Sequence, residues 1–576
     1  MSEGLNLTRL PSDILVVVAL ASDSHSVLAL GATCRTLYSL VKNSIAVQLH
    51  LELAAQGLLL NASLRLTRSS AEWYNKLLQT RDNWLNLSFM NLLPLTLSLE
   101  DNEMLSVVQG GVFACGASTP GHSDGINRVK VIKFPGVGHP SDSQIPPSAS
   151  YVSSIISTGK YISAFRISAE QDLVILGALT PAGPSLAIHT LSGVPHPSAK
   201  NPTLLLRTTN FIGFAVHDPQ PIQIQGDLVS ALLTSGSNSV DWGLVIWNWK
   251  TGTHAFRKHY VAHALSFTFL SNSSFMLAER DANSTHLTIE DLDLETSSSI
   301  LRFKLKLPEL AMGWNYGPLH FKNDLPPSAN HSYQSATAVL PDPDAGVIYL
   351  SVGLSGPHLT PDRGPMPHLG LFIGRGALLR KYPGRGALSC EPLVLDWTQW
   401  GESVTRWVDV GQMPGLLPAV HGSRYVQVVR QPHSPKAWLQ VLDFSLSAVH
   451  REQGEPIELR HLEPVQIREA STSYGRLSGI LPKTNEKTPA GTVLIEVFGY
   501  DRPTVLDMPG AFLHPVVSRL PYRCTTQFAA VRASSEWMID GELLFRVDEP
   551  EEGKCCMVYP YRVSDRSGEV DALNLG

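Results

Sequence analysis

Hydrophobic positions change period once along this chain. Over roughly the first ninety residues apolar side chains recur at helical spacing, and from about residue 105 to the end they fall into short Val, Ile, Leu, Phe and Tyr runs separated by Gly, Pro, Asn, Asp and Ser. The first texture predicts a small helical region and the second a large β body. Within the body the runs come in pairs. Asp172–Leu176 precedes Leu186–His189, Asp227–Leu232 precedes Leu244–Gly252, and Phe275–Ala278 precedes Leu287–Glu290. Val347–Leu350 then precedes Leu369–Phe372, and Tyr425–Val429 precedes Trp438–Asp443. The pairs repeat at roughly 50 residues, near the blade length of β-propellers, so seven or eight blades are expected. A pair of β-sandwiches or a β-helix is the structural alternative.

At the N-terminus the spacing predicts a helix from near Pro11, where a missing N–H costs nothing in the first turn and Asp13 faces the positive end of the helix dipole. The β-branched run Val16-Val17-Val18 works against it, because such side chains lose χ1 freedom in a helix. Asp23 and Ser24 can cap a second helix over 25–31. A third places Cys34, Leu37, Tyr38, Val41 and Ile45 on one face. Further on, Ser69 and Glu72 have capping-box spacing, and Trp73, Leu77 and Trp84 form one stripe of a helical bridge. Ile14 to Ala21 also reads as the apolar stretch of a secretory signal, with Ala19-Leu20-Ala21 as a cleavage site, and five sequons (Asn6, Asn61, Asn86, Asn272, Asn283) would then carry glycan. Acidic Glu3 and Asp13 and the periodicity beyond Ala21 oppose that reading.

Two short motifs carry a resemblance. Leu10-Pro11-Ser12-Asp13-Ile14-Leu15 followed by Thr33-Cys34-Arg35 resembles the F-box, with Thr33 in place of the usual aliphatic and Tyr38 near the position of the usual Trp. It covers roughly residues 8–48. The following helical stretch ending near a Trp is similar to the F-box proteins of mushroom-type fungi. The resemblance implies that Leu10, Pro11, Ile14, Leu15, Leu28, Cys34 and Arg35 form or support a surface that grips a Skp-type adaptor and, through it, a cullin. Leu244–Gly252 resembles the third strand of a WD-repeat blade, with Asn248 in the Asp position, whereas Gly121-His122 and Gly138-His139 are misplaced for that repeat. The expected organisation is therefore an F-box-like unit over 1–48, a helical linker over 49–95 and a propeller-like recognition body over 96–576.

Composition narrows the partners. With 576 residues and 43% hydrophobic content there is length for more than one domain, and no run approaches the roughly 18 apolar residues of a membrane helix, so no membrane partner is expected. A formal net charge of -6 without a long basic run argues against nucleic acid. Six cysteines at 34, 115, 390, 524, 555 and 556 are too sparse for a disulfide framework and include no CxxC pair; Cys555-Cys556 reads as a strand with one thiol on each face. Pro- and Ser-rich insertions at 134–150, 194–203, 323–343 and 354–368 read as surface loops. A duplicated Gly-Arg-Gly-Ala-Leu at 374–378 and 384–388 presents Arg375, Arg380, Lys381 and Arg385, either as a solvated turn pair or as a cationic loop for an acidic or phosphorylated partner. No Gly-x-Ser-x-Gly elbow, phosphate-cradling loop or HExxH helix occurs, and no cofactor or metal is expected. Taken together these features predict a non-enzymatic substrate receptor of an SCF-type ubiquitin ligase, cytoplasmic or nuclear. A propeller scaffold without that link and a secreted glycan-binding or hydrolytic propeller are the alternatives.

Overall fold

In the computed structural model the described residues are 7–61, 68–91, 95–97, 106–117, 126–134, 152–206, 211–234, 242–323, 339–356, 368–381, 392–410, 419–430, 436–445, 465–468, 493–548 and 556–563, less a few short gaps within them. The paired apolar runs are the middle strands of propeller blades. All five pairs are antiparallel; Leu176 faces Ala187, Leu232 faces Leu244, and Leu350 faces Leu371. Their sequences do not alternate because each blade is packed on both faces: Trp242–Asn248, for example, buries Trp242 to Trp247 without interruption.

Seven blades form the ring, each with strands a to d from the axis outward. Blade 1 spans Ser106–Gln109 to Val152–Ser157, blade 2 Ile162–Ser168 to Thr203–Leu205, and blade 3 Ile222–Gln225 to Thr253–Tyr260. Blade 4 runs from His263–Ser271 to Ser298–Lys306, and Leu393–Leu395 adds to its outer edge in parallel. Blade 5 runs from Asn315–Phe321 to Thr405–Asp409, and blade 6 from Val420–His421 to Tyr522–Arg532. Blade 7 takes Glu536–Asp540, Leu543–Asp548 and Cys556–Val563 from the C-terminal part. Its outer position is filled from the other end of the chain: Phe89–Asn91 and Leu95–Leu97 both pair with Cys556–Val563, closing the ring. Closure removes the open edges of a free sheet. The sequence reading of helix up to about residue 90 is corrected here, since Phe89–Asn91 is a strand.

Apolar clusters fill the wedges between blades. One packs Ile175 and Leu186 of blade 2 with Val229, Trp247 and Trp249 of blade 3; another packs Leu350, Leu371 and Trp407 of blade 5 with Met276 and Leu287 of blade 4. Buried polar side chains then staple neighbouring inner strands. Gln223 of blade 3 donates to the Phe267 carbonyl at 2.6 Å and accepts from the Phe269 N–H at 3.3 Å in blade 4. Asn323 after the inner strand of blade 5 donates to Thr268 Oγ1 at 3.0 Å and accepts from the Tyr349 N–H at 2.7 Å. At the closing seam Asp540 of blade 7 accepts from the Gly110 and Gly111 N–H groups of blade 1 at 3.0 and 2.6 Å. Such bonds satisfy groups whose burial would otherwise be costly.

The N-terminal helices are α1 (Ser12–Leu20), α2 (Ser24–Thr33), α3 (Arg35–Asn43), α4 (Ile45–Gln56) and α5 (Ser70–Asn86). Pro11 stands one residue before the first helix, at its N-cap. Asp23 caps α2 by accepting from the Ser26 N–H at 2.9 Å, and Ser69 and Glu72 form the expected reciprocal box on α5. The expected five-residue face of the third helix is corrected: α3 ends at Asn43, so Ile45 belongs to α4, and while Leu37 and Val41 are buried, Tyr38 points to solvent.

Helices α4 and α5 dock this unit on the ring. Leu58–Leu60, following α4, pairs antiparallel with Val339–Pro341 from the connection between strands a and b of blade 5. The Asp342 N–H donates to the Gly57 carbonyl at 2.8 Å, and Ser445 after strand c of blade 6 donates to the Ala55 carbonyl. At the far end of α5, Trp84 packs edge-on against Phe89, 5.2 Å between centroids, with the Arg424 guanidinium 4.8 Å from its ring. The a–b and c–d turns share one face of the propeller, so the helices sit there. At the opposite face strand b ends and strand c begins, as at Thr234 and Trp242 in blade 3, Gly353 and His368 in blade 5, and Arg430 and Ala437 in blade 6.

Candidate docking surface

Helix α1 is apolar nearly all round, so its own composition does not say which side faces the core. Packing decides: Leu15 and Ala19 are buried, with Val16 and Leu20 half-buried against Val27, Val41, Val47 and Leu51. Ile14, Val17 and Val18, on the opposite arc at i, i+3 and i+4, are left in solvent. Gly31 of α2 is buried, and a Cβ there would already touch the Val41 side chain at 3.5 Å, so α2 and α3 approach closely. That approach leaves Leu28 on α2 and Tyr38 on α3 outside the small core. The exposures are large for such side chains: 47% for Ile14, 60% for Leu28 and 56% for Tyr38.

The seven residues implied by the F-box resemblance divide by role. Pro11, Ile14, Leu28 and Arg35 are exposed, Leu10 and Cys34 are half-buried, and Leu15 is a core residue under the surface. Cys34 links α2 to α3 in an extended conformation, and its carbonyl accepts from the Tyr38 N–H at 2.9 Å, so it shapes the turn that presents Arg35. Val17, Val18 and Tyr38 share the exposed apolar character, although the motif does not name them as contacts. Their signal lies in the α1 pattern, which holds more apolar residues than one buried face can absorb.

The duplicated Gly-Arg-Gly-Ala-Leu differs from the expected turn pair. Its first copy opens a helix, α6 (Arg375–Lys381), and Arg375 is only 7% exposed, so it is no part of a cationic surface loop. Lys381 is exposed but donates to the Gln399 carbonyl at 2.6 Å and to Ser403 Oγ at 3.0 Å, tying α6 to α7 (Trp397–Val404). Arg380 is exposed, and Arg385 lies outside the described residues.

A second set of groups, without any sequence signal, is brought together from different blades. Asp218, before the inner strand of blade 3, is buried and accepts from Ser266 Oγ at 2.9 Å and the Gln220 N–H at 2.8 Å; burial pushes its carboxyl up to about 7. Lys322 of blade 5 is also buried, and desolvation pushes its ammonium down to about 8 against the opposing pull of Glu536 and Asp218. Desolvation likewise lowers His368, with Lys322 adding to the effect. Among the described residues no group of three His, Cys, Asp or Glu side chains is placed to hold a metal ion, and no helix is long and apolar enough to cross a membrane.

The class defined by this architecture is a seven-bladed β-propeller protein with a helical N-terminal unit built into the ring closure. No protein-family model and no curated protein sequence matches the chain. Solved structures similar to it include oligopeptidase B from Trypanosoma brucei with covalently bound antipain, at 13% identity and TM-score 0.27, covering 63% of this chain and 40% of that one. Oligopeptidase B from Leishmania major is similar at 10% identity and TM-score 0.24, covering 67% and 48%. Hsv2p of Kluyveromyces lactis is similar at 8% identity and TM-score 0.28, covering 59% and 93%. The chain thus spans less than half the length of either peptidase, and likenesses this distant carry no activity to it.

Proposed function

We propose that this chain is a non-catalytic receptor that docks a Skp-type adaptor through the exposed apolar face of α1 to α3 and holds a target protein on its propeller. The observation that carries the reading is the set Ile14, Val17, Val18, Leu28 and Tyr38, each left exposed on the same small helical unit in which the F-box-like motif falls. An isolated exposed leucine needs no explanation, but several on one unit mark an interaction surface. Arg35 and Lys42 stand beside it as exposed cations, able to fix orientation against acidic groups of the adaptor.

In this reading α4 and α5 set the angle between the docking face and the ring. The adaptor-binding unit lies on the a–b and c–d side, and the target would be taken up at the opposite, b–c side, which the helices leave uncovered. Ubiquitin transfer would be accelerated by proximity: the assembly brings a target lysine to the loaded enzyme, and no bond chemistry falls to this chain. The test is a pull-down of full-length protein on a recombinant Skp-type adaptor, with Ile14→Asp and Leu28→Asp as variants. Binding by wild type and loss in both variants is expected. A folded wild type that binds no adaptor would leave a propeller scaffold whose helices serve another partner.

A further inference from the structure

At the foot of α6 lies a narrow recess between blades 4, 5 and 6, about 360 Å³ including its mouth, whose base admits a water-sized group. Its wall includes Arg375, Asn323, Asp342 and the chain at Pro343 to Val347. From this wall we infer that the recess accepts one oxygen of an oxyanion, a carboxylate or phosphate group, on the Arg375 guanidinium.

The argument starts from the backbone. Strand c of blade 5 ends at Gly374, and the Arg375 N–H donates to the Gly346 carbonyl at 3.0 Å, which pins the first turn of α6 to the turn Asp342–Gly346. Gly376 lies so close to that turn that a Cβ there would stand 2.1 Å from the Asp344 carbonyl oxygen. Any larger residue would lift the helix and open the recess, so the glycine holds Arg375 against it. The Arg375 side chain is 7% exposed, among the described residues its guanidinium makes no hydrogen bond, and its nitrogens are not among the atoms sealed from solvent, so they remain open to a partner entering from outside. A guanidinium carries five N–H donors in a fixed fork suited to the oxygens of an anion. Its charge is answered through space by the exposed Asp344 carboxylate, while desolvation dominates and lowers its pKa to about 10. The other carboxylate in the wall, Asp342, is engaged: it accepts from the Asp344 N–H at 2.9 Å and lies in the field of Arg380. A buried, donor-rich cation beside a recess wide enough for one oxygen is suited to a charge-assisted bond from an anion. The source is either a free oxyanion or an acidic side chain of a bound protein segment. This inference does not rest on adaptor docking.

Calorimetric titration of the full chain with inorganic phosphate, acetate and a hexaglutamate peptide, at fixed ionic strength, tests it. Wild type is expected to bind, Arg375→Gln to bind at least about fivefold more weakly, and Asp344→Asn to bind more tightly because the competing carboxylate is gone. Asp344 is exposed, so its variant keeps the fold and decides the matter even if Arg375→Gln does not fold. Tighter binding of hexaglutamate than of acetate identifies a protein side chain as the natural occupant; the reverse identifies a free anion. Absence of binding by wild type, equal affinity in Arg375→Gln, or unchanged or weaker binding in Asp344→Asn overturns the inference.

Discussion

Arg406 illustrates how much a single buried residue can organise here. It is fully buried in the outer strand of blade 5, and its guanidinium donates to the Leu520, Arg502, Ser518, Phe498 and Gly499 carbonyls and to Thr504 Oγ1 at 2.8 to 3.4 Å. Those acceptors belong to the segment inserted in blade 6, which contains the small sheet Val465–Arg468, Thr504–Asp507 and Val516–Ser518. Arg406→Met is expected to destabilise the protein by roughly 3 kcal/mol or more in urea denaturation, because several carbonyls lose their donor inside the protein. Asp218 makes a pH prediction. Its folded pKa of about 7 lies above the ordinary 3.8, so the folded state holds the proton more tightly. Its contribution to stability is present below about pH 4 and is lost as pH rises to about 7. Lys322, lowered from 10.5 to about 8, works in a separate window, and stability recovers between those values. Thermal unfolding of Asp218→Asn should therefore lose the wild-type decline between about pH 4 and 7. A parallel decline in the variant would show that other groups cause it.

At the scale of elements, local sequence signals are most legible where the bonds they make are also local. The capping box of Ser69 and Glu72 and the cap of Asp23 need no tertiary context. Ser69→Ala is expected to cost about 1 kcal/mol, measurable as a lower denaturation midpoint with unchanged slope. The c–d turn of blade 3 is legible through the WD-like segment: Asn248 Oδ1 accepts from the Lys250 and Thr251 N–H groups, each at 3.1 Å, before Gly252 turns left-handed at φ 75°. Blade 4 repeats the turn in a different spelling. Asp293 accepts from the Glu295 and Thr296 N–H groups at 3.0 and 3.3 Å, and Ser297 takes φ 53° where blade 3 has glycine. The physical requirement is a side-chain acceptor and one left-handed residue, which Ser meets only with strain. A motif defined by Gly misses that equivalence. Helix α6 escapes a sequence reading for the opposite reason: Gly374, Gly376, Arg375 and Arg380 read as a turn, but contact with Asp342–Gly346 holds a helix there.

At the scale of the whole molecule, the ring is closed by a segment that reads as part of the helical region. Deleting residues 1–43 removes α1 to α3 and is expected to leave a propeller that unfolds cooperatively. Deleting 1–97 also removes Trp84, Phe89 and the outer strands of blade 7, and is expected to yield no folded monomer on size exclusion with near-ultraviolet circular dichroism. A folded product from the longer deletion would show that closure is dispensable. By itself, the sequence determined the change from helical to strand period, the middle hairpins of blades 2 to 6, the caps and the apolar surplus of α1, because each depends on spacing over a few residues. Tertiary structure alone decided the blade number, the closure of residues 556–563 by 89–91 and 95–97, the burial of Arg375 and the meeting of Asp218 with Lys322. Those outcomes depend on contacts between segments tens to hundreds of residues apart, where neither periodicity nor propensity selects the partner.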